Sequence, residues 1–231
     1  MKWRRLNLPE IEATLLRLPA TDAAEEGEHA MTAEVAGQLA TGYAYVDDLL
    51  RARVDVFAYG ETHHILELNH RVLCGVTPAL RREFEDHIEA TERWFYDRPG
   101  AGIASFSDWY RRHRSRPALP LAASLIVEMV STPQLFIEGN RRTAALLASY
   151  VLARDGEPPC VAGPETLADY DRLTRRAVAV DRAGMMGRIM GRLAAYGLAA
   201  FLRESSDSRL LAPAGSVSAA PDALASAETP H

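Results

Sequence analysis

Apolar residues recur at helical spacing along most of this chain, and no stretch alternates as a half-buried strand would. Over residues 32–53, Val35, Leu39, Tyr43, Val46, Leu49 and Leu50 fall on one face. Ile65, Leu68, Val72 and Leu73 do the same over 61–73, where Gly75 follows as a stop. A third helix is predicted over 78–96, entered with Thr77 and Pro78 at the cap and first helical positions. Shorter patterns cover 11–18, a stretch opening at Ser107 and ending before Pro117, and 120–130. Two more helices are predicted over 166–180 and 184–202. Between 132 and 139, Pro133 and Gly139 forbid a continuous helix. From Asn140 the pattern resumes with Ala144, Leu147, Tyr150 and Val151, widened by Ala145 and Leu146, until Gly156, Pro158 and Pro159 end it. The pattern predicts an all-α bundle built around this central helix. It is organised as an N-terminal segment (1–31), a helical domain (32–203) and a Ser/Ala/Pro/Asp-rich tail (204–231) read as disordered.

Composition changes this picture little. With 231 residues, 48% hydrophobic and 25% charged, the chain has the make-up of a globular domain large enough to bury a core. A net charge of −5 gives no basic footprint for nucleic acid, and no apolar run reaches the length of a membrane span. The arginine runs at 111–116 and 172–176 read as solvated faces. Cys74 and Cys160 lack metal spacing, and with no apolar leader at the N-terminus they read as reduced core thiols of a cytoplasmic protein. His63 and His70 share a helical face, but no carboxylate or cysteine completes a recognised ligand pattern, so the histidines of 61–73 read as surface or half-buried. Gly184, Gly187 and Gly191 permit close helix packing or a self-association face, hence a homodimer.

The chemistry concentrates in Thr132-Pro-Gln-Leu-Phe-Ile-Glu-Gly-Asn-Arg-Arg-Thr-Ala144. Asn140 is a favourable cap residue, and Gly139 lets backbone approach a ligand closely. Arg141 and Arg142 oppose the macrodipole of the helix they open, an arrangement that makes sense if a phosphate sits among them. Glu138 could then hold a Mg²⁺ bridging phosphates. The competing reading is a capped core helix with two solvated arginines.

This stretch resembles the signature of the Fic/Doc (Fido) family, His-x-Phe-x-Asp/Glu-Gly-Asn-Gly/Lys-Arg, often followed by Thr-Ala. Phe136, Glu138, Gly139, Asn140, Arg142, Thr143 and Ala144 fall on the pattern; Arg141 replaces Gly or Lys, and Ala145 stands where many members keep a second arginine. Looser likeness extends over about 32–180, in Tyr45-Val-Asp-Asp-Leu, the run from Ile65 to Leu73, and Gly-Glu-Pro-Pro-Cys-Val after the central helix. The resemblance implies a Fic-like helical fold with a small β-hairpin flap, for which residues 97–107 are the candidate. It implies a phosphate-bearing donor such as ATP with Mg²⁺. Glu138 would be the metal ligand; Gly139, Asn140, Arg141 and Thr143 would line the donor site, and Arg142 would pair with the terminal phosphates. The decisive departure is Gln134, which occupies the slot of the catalytic histidine and cannot accept a proton. Three outcomes are compatible with it. The chain transfers a phosphate-containing group to a protein hydroxyl or small molecule by another base. It binds a nucleotide or phosphorylated metabolite without chemistry. Or it uses Gln134 to orient a reacting group in hydrolysis or elimination. Residues 22–27 (Asp-Ala-Ala-Glu-Glu-Gly) come near the family's inhibitory motif, but Asp22 holds a Ser/Thr slot and Ala145 removes the arginine partner, so the likeness reads as coincidence.

Overall fold

A computed structural model describes residues 2–18 and 32–213. Among them are ten α-helices and no strand. They are α1 (Leu8–Leu16), α2 (Ala33–Ala52), α3 (His63–Cys74), α4 (Pro78–Glu83), α5 (Glu85–Asp97), α6 (Ile103–His113), α7 (Ala118–Val130), α8 (Asn140–Asp155), α9 (Leu167–Val178) and α10 (Gly184–Glu204). Residues 22–27 and most of the expected tail lie outside the described residues.

α8 is the axis of the bundle. Every residue from Thr143 to Arg154 is buried, because α7, α2 and α3 pack around it. A helix apolar on all sides can only be stable in such a setting. Its last carbonyls are not wasted: Lys2 and Trp3 donate their N–H groups to Arg154 O (2.7 and 2.9 Å), and Arg4 donates to Ala153 O at 3.0 Å. The N-terminal segment therefore joins the domain. Leu6, Ile11 and Leu15 belong to the same core, and buried Asp47 accepts from the Leu6 N–H at 2.8 Å and pairs with Arg5. The other end closes on the same place. Asn7 N–H donates to Leu210 O (2.8 Å), Ala212 N–H to Arg5 O (2.9 Å), and Leu210 and Leu211 are buried. The folded part thus runs past residue 204, where the tail was expected to begin.

Three expectations are corrected. Residues 97–107 form no β-hairpin: Arg98 O accepts from Ala101 and Gly102, and α6 starts at Ile103 instead of Ser107. Gly102 allows this turn, since a side chain there would meet Phe95 O at 2.4 Å. The helix over 78–96 is two helices broken at Phe84; α4 buries none of its side chains, so no packing holds it in line with α5. Gly187 faces its own chain, where an added Cβ would lie 1.7 Å from Asp181 O, so it is not part of a surface for another copy.

Candidate functional site

The loop from Ser131 to Gly139 is held from both sides before it delivers the chain into α8. Thr132 N–H donates to Val180 O (3.0 Å), and Arg182 N–H donates back to Thr132 O (2.9 Å). The Arg182 guanidinium pairs with Glu128 and donates to Pro133 O. Arg98, stacked 3.8 Å over the Trp94 ring, donates to Gln134 O at 3.3 Å. Burial, reinforced by Arg98, pulls the Arg182 pKa down to about 10. Phe136 is fully buried and stacked parallel on Phe95, with ring centres 5.3 Å apart.

Gly139, not Asn140, takes the N-cap position, with φ +72°. Its left-handed conformation and the space around it both demand glycine: a Cβ would meet Asn69 Nδ2 at 2.9 Å and Leu73 at 3.3 Å. Asn140 is the first helical residue and only 6% exposed. Its Oδ1 accepts from Phe136 N–H at 2.9 Å; its Nδ2 donates to Phe136 O at 2.8 Å and Gln134 Oε1 at 3.3 Å. The Asn140 side chain is turned back to lock the loop, which leaves its backbone N–H to face a ligand. Gln134 is committed as well, since its Nε2 donates to Val130 O at 3.1 Å.

The two arginines part company. Arg141 pairs with Asp171 on α9, which Arg175 also contacts at 2.6 Å, and the Tyr170 hydroxyl donates to Arg141 O at 2.9 Å. Its side chain ties α8 to α9. Arg142 makes no ion pair among the described residues. Its Nη1 donates to Val72 O at the C-terminal end of α3 at 3.2 Å, and its other donors have no partner there. Burial lowers its pKa, Arg141 lowers it further, and Glu138 opposes both. Glu138 itself is exposed and forms no ion pair among the described residues. The backbone N–H groups of Asn140, Arg141 and Arg142 also take no partner among the described residues, as the first turn of a helix leaves them. Thr143 is buried, its hydroxyl accepting from Asn69 Nδ2 at 3.1 Å.

The start of α8 therefore carries one exposed carboxylate, one guanidinium without an ion pair and three backbone N–H groups without a partner among the described residues. Sequence reasoning missed Asn69, whose Nδ2 also donates to Glu138 O at 2.9 Å and which sets the height of the loop over α3. The available signal was a polar residue on the face of Ile65, Leu68 and Val72. A scan of protein-family models and searches of curated proteins and of solved structures each returned no match.

Proposed function

We propose that this chain is a Fic-like protein that binds a phosphate-bearing ligand, most simply a nucleotide, at the start of α8. The observation that supports it is Arg142, a half-buried cation beside Glu138 that makes no ion pair among the described residues. A partly desolvated guanidinium without an ion pair gains from a counter-ion, and an arriving phosphate would supply that partner and take the free N–H groups as well. Glu138 fits a Mg²⁺ held by one carboxylate together with phosphate oxygens and water. When bound, that ion would offset phosphate charge; the chain's own contribution is positioning by Arg142, Gly139 and the α8 backbone.

Gln134 decides between binding alone and binding with chemistry. Both ends of its amide are occupied by Val130 and Asn140, and it has no group to take a proton. This favours recognition without the family's base, as in a nucleotide sensor or regulatory protein. Group transfer to a protein hydroxyl or a metabolite is the second reading, kept because Glu138 and Arg142 still occupy the positions that act on phosphates in the resembled family. The test has two parts. A thermal-shift panel with Mg²⁺ and ATP, GTP, UTP, CDP-choline, AMP or pyrophosphate identifies the ligand; one at about a hundred times its dissociation constant adds roughly 2.7 kcal/mol. No shift for any of them would sink the proposal. Radiolabelled transfer from the ligand found, assayed beside Gln134→His, separates the readings: the binding reading expects no transfer by the wild type and transfer regained in the variant, by about 10²-fold or more over background. Transfer by the wild type itself would establish the second reading.

The proposed homodimer rests on α10. Met185, Met186, Ile189, Met190, Leu193 and Tyr196 are all exposed, Tyr196 by 80%, on a helix whose opposite side packs on α7. Pairing these rows would remove a continuous apolar strip from water. Light scattering should return twice the chain mass for the wild type and the single-chain mass for Met186→Glu with Leu193→Glu. A monomeric wild type would remove the dimer from the proposal.

A further inference from the structure

The turn that opens α3 places a carboxylate beside two imidazoles. Glu61, His63 and His64 each present a ligand atom, and these atoms lie within 4.8 Å of one another. The hydrogen bonds around them settle which nitrogen is available. His63 Nδ1 lies 2.9 Å from Gly60 O, and a carbonyl can only accept, so Nδ1 carries the proton and Nε2 keeps its lone pair. His64 Nε2 lies 3.1 Å from Glu61 Oε2, while its Nδ1 is 2.5 Å from the Tyr45 hydroxyl. A hydroxyl serves as donor or acceptor. The imidazole can therefore give up the Nε2 proton and donate from Nδ1 to Tyr45 instead.

We propose that Glu61, His63 and His64 bind a divalent transition-metal ion, Zn²⁺ being the ion this donor set suits best, through both Nε2 atoms and the glutamate. Two imidazoles and a carboxylate are a ligand set zinc accepts, and three protein ligands leave a position for water. Zinc bonds of 2.0–2.1 Å in tetrahedral geometry put neighbouring donors about 3.3–3.4 Å apart. His64 and Glu61 already stand close to that spacing, and His63, which is exposed, has room to swing in. The His64 ring is supported from behind by Tyr45, which is itself held by Arg71, 4.2 Å over its ring, while His63 Nδ1 rests on Gly60 O before the ring turns in. Such outer partners orient metal-bound histidines. Metal replaces the Nε2 proton of His64, so one proton moves to Nδ1 and none need leave the neutral ring. The site is independent of the phosphate reading. It fixes the entry of the helix whose Asn69, five residues on, carries the Glu138 loop.

The test titrates Zn²⁺ into the full chain against a chromogenic chelator, with Co²⁺ as a spectroscopic stand-in. The wild type should bind one equivalent at micromolar concentration or tighter and give the intense visible bands of four- or five-coordinate Co²⁺. His64→Ala and Glu61→Gln should each weaken binding by more than about tenfold, and Tyr45→Phe by about tenfold as an outer partner. Circular dichroism of each variant checks that the fold is kept. Because His63 is exposed, His63→Ala serves as a further variant that should fold normally and lose affinity. Affinity unmoved by His63→Ala and His64→Ala, or a wild type that fails to compete with the chelator, would overturn the assignment.

Discussion

Replacing Arg142 with Met should make the ligand-free protein more stable, not less. The half-buried Arg142 guanidinium makes no ion pair among the described residues, and its pKa is held below the ordinary value by burial and by Arg141, with Glu138 opposing. The sign comes from linkage. The fold disfavours the charged form, the side chain is charged throughout the neutral range, and the penalty would be relieved only as pH rose through the lowered pKa. Methionine fills a similar volume with no charge. The variant loses one hydrogen bond, to Val72 O, worth about 1 kcal/mol. Replacing buried ion pairs by apolar side chains of similar volume is often neutral or stabilising by about 1–4 kcal/mol, and a half-buried lone guanidinium falls in the lower part of that range. A net gain of about 1 kcal/mol should appear as a higher midpoint in urea at an unchanged slope. If Arg142 were instead a structural cap on the C-terminal end of α3, the midpoint would fall.

Asn140→Ala is expected to do the opposite. Its side chain satisfies Phe136 N–H and Phe136 O inside the protein, and both would be left without partners. An orphaned buried polar group costs about 1–3 kcal/mol, so a total loss of roughly 2–4 kcal/mol is expected. For a domain of this size, that lowers the melting temperature by roughly 5–15 °C. A variant that melts like the wild type but binds ligand poorly would restore Asn140 to the ligand side of the site. The two substitutions, two residues apart in one signature, thus separate a residue that gives up stability for binding from one that holds the loop in place.

How far the sequence could be read depends on where its patterns are strong. The central helix was legible because its apolar run is dense and Gly156 ends it; the structure has it at Asn140–Asp155. The all-α class came from the same periodicity. Side-chain direction at the loop was not legible. A capping rule takes Asn140 as the cap, whereas Gly139 adopts the left-handed conformation and displaces Asn140 by one position, turning it inward. The arginine pair read as two anion contacts or as two solvated charges, and neither description fits both. Arg141 found Asp171, thirty residues away in sequence, a pairing no local pattern announces. The β-hairpin came from the family resemblance alone; residues 97–107 carry no alternation, and their turn residues serve to start α6 early. The glutamate beside the histidines was not singled out because Glu61 and His64, three residues apart, complete no recognised ligand pattern in sequence.

The most direct test of the account is isothermal titration calorimetry of Mg²⁺ with ATP, and of Mg²⁺ with pyrophosphate, into the wild type and Arg142→Met side by side. The account predicts one site per chain for at least one of these probes. It also predicts an affinity loss in the variant of more than about thirtyfold, the lower end of what removing one partner of a buried charge pair costs. Equal affinity in the two proteins, or no binding of either probe to the wild type, would contradict it.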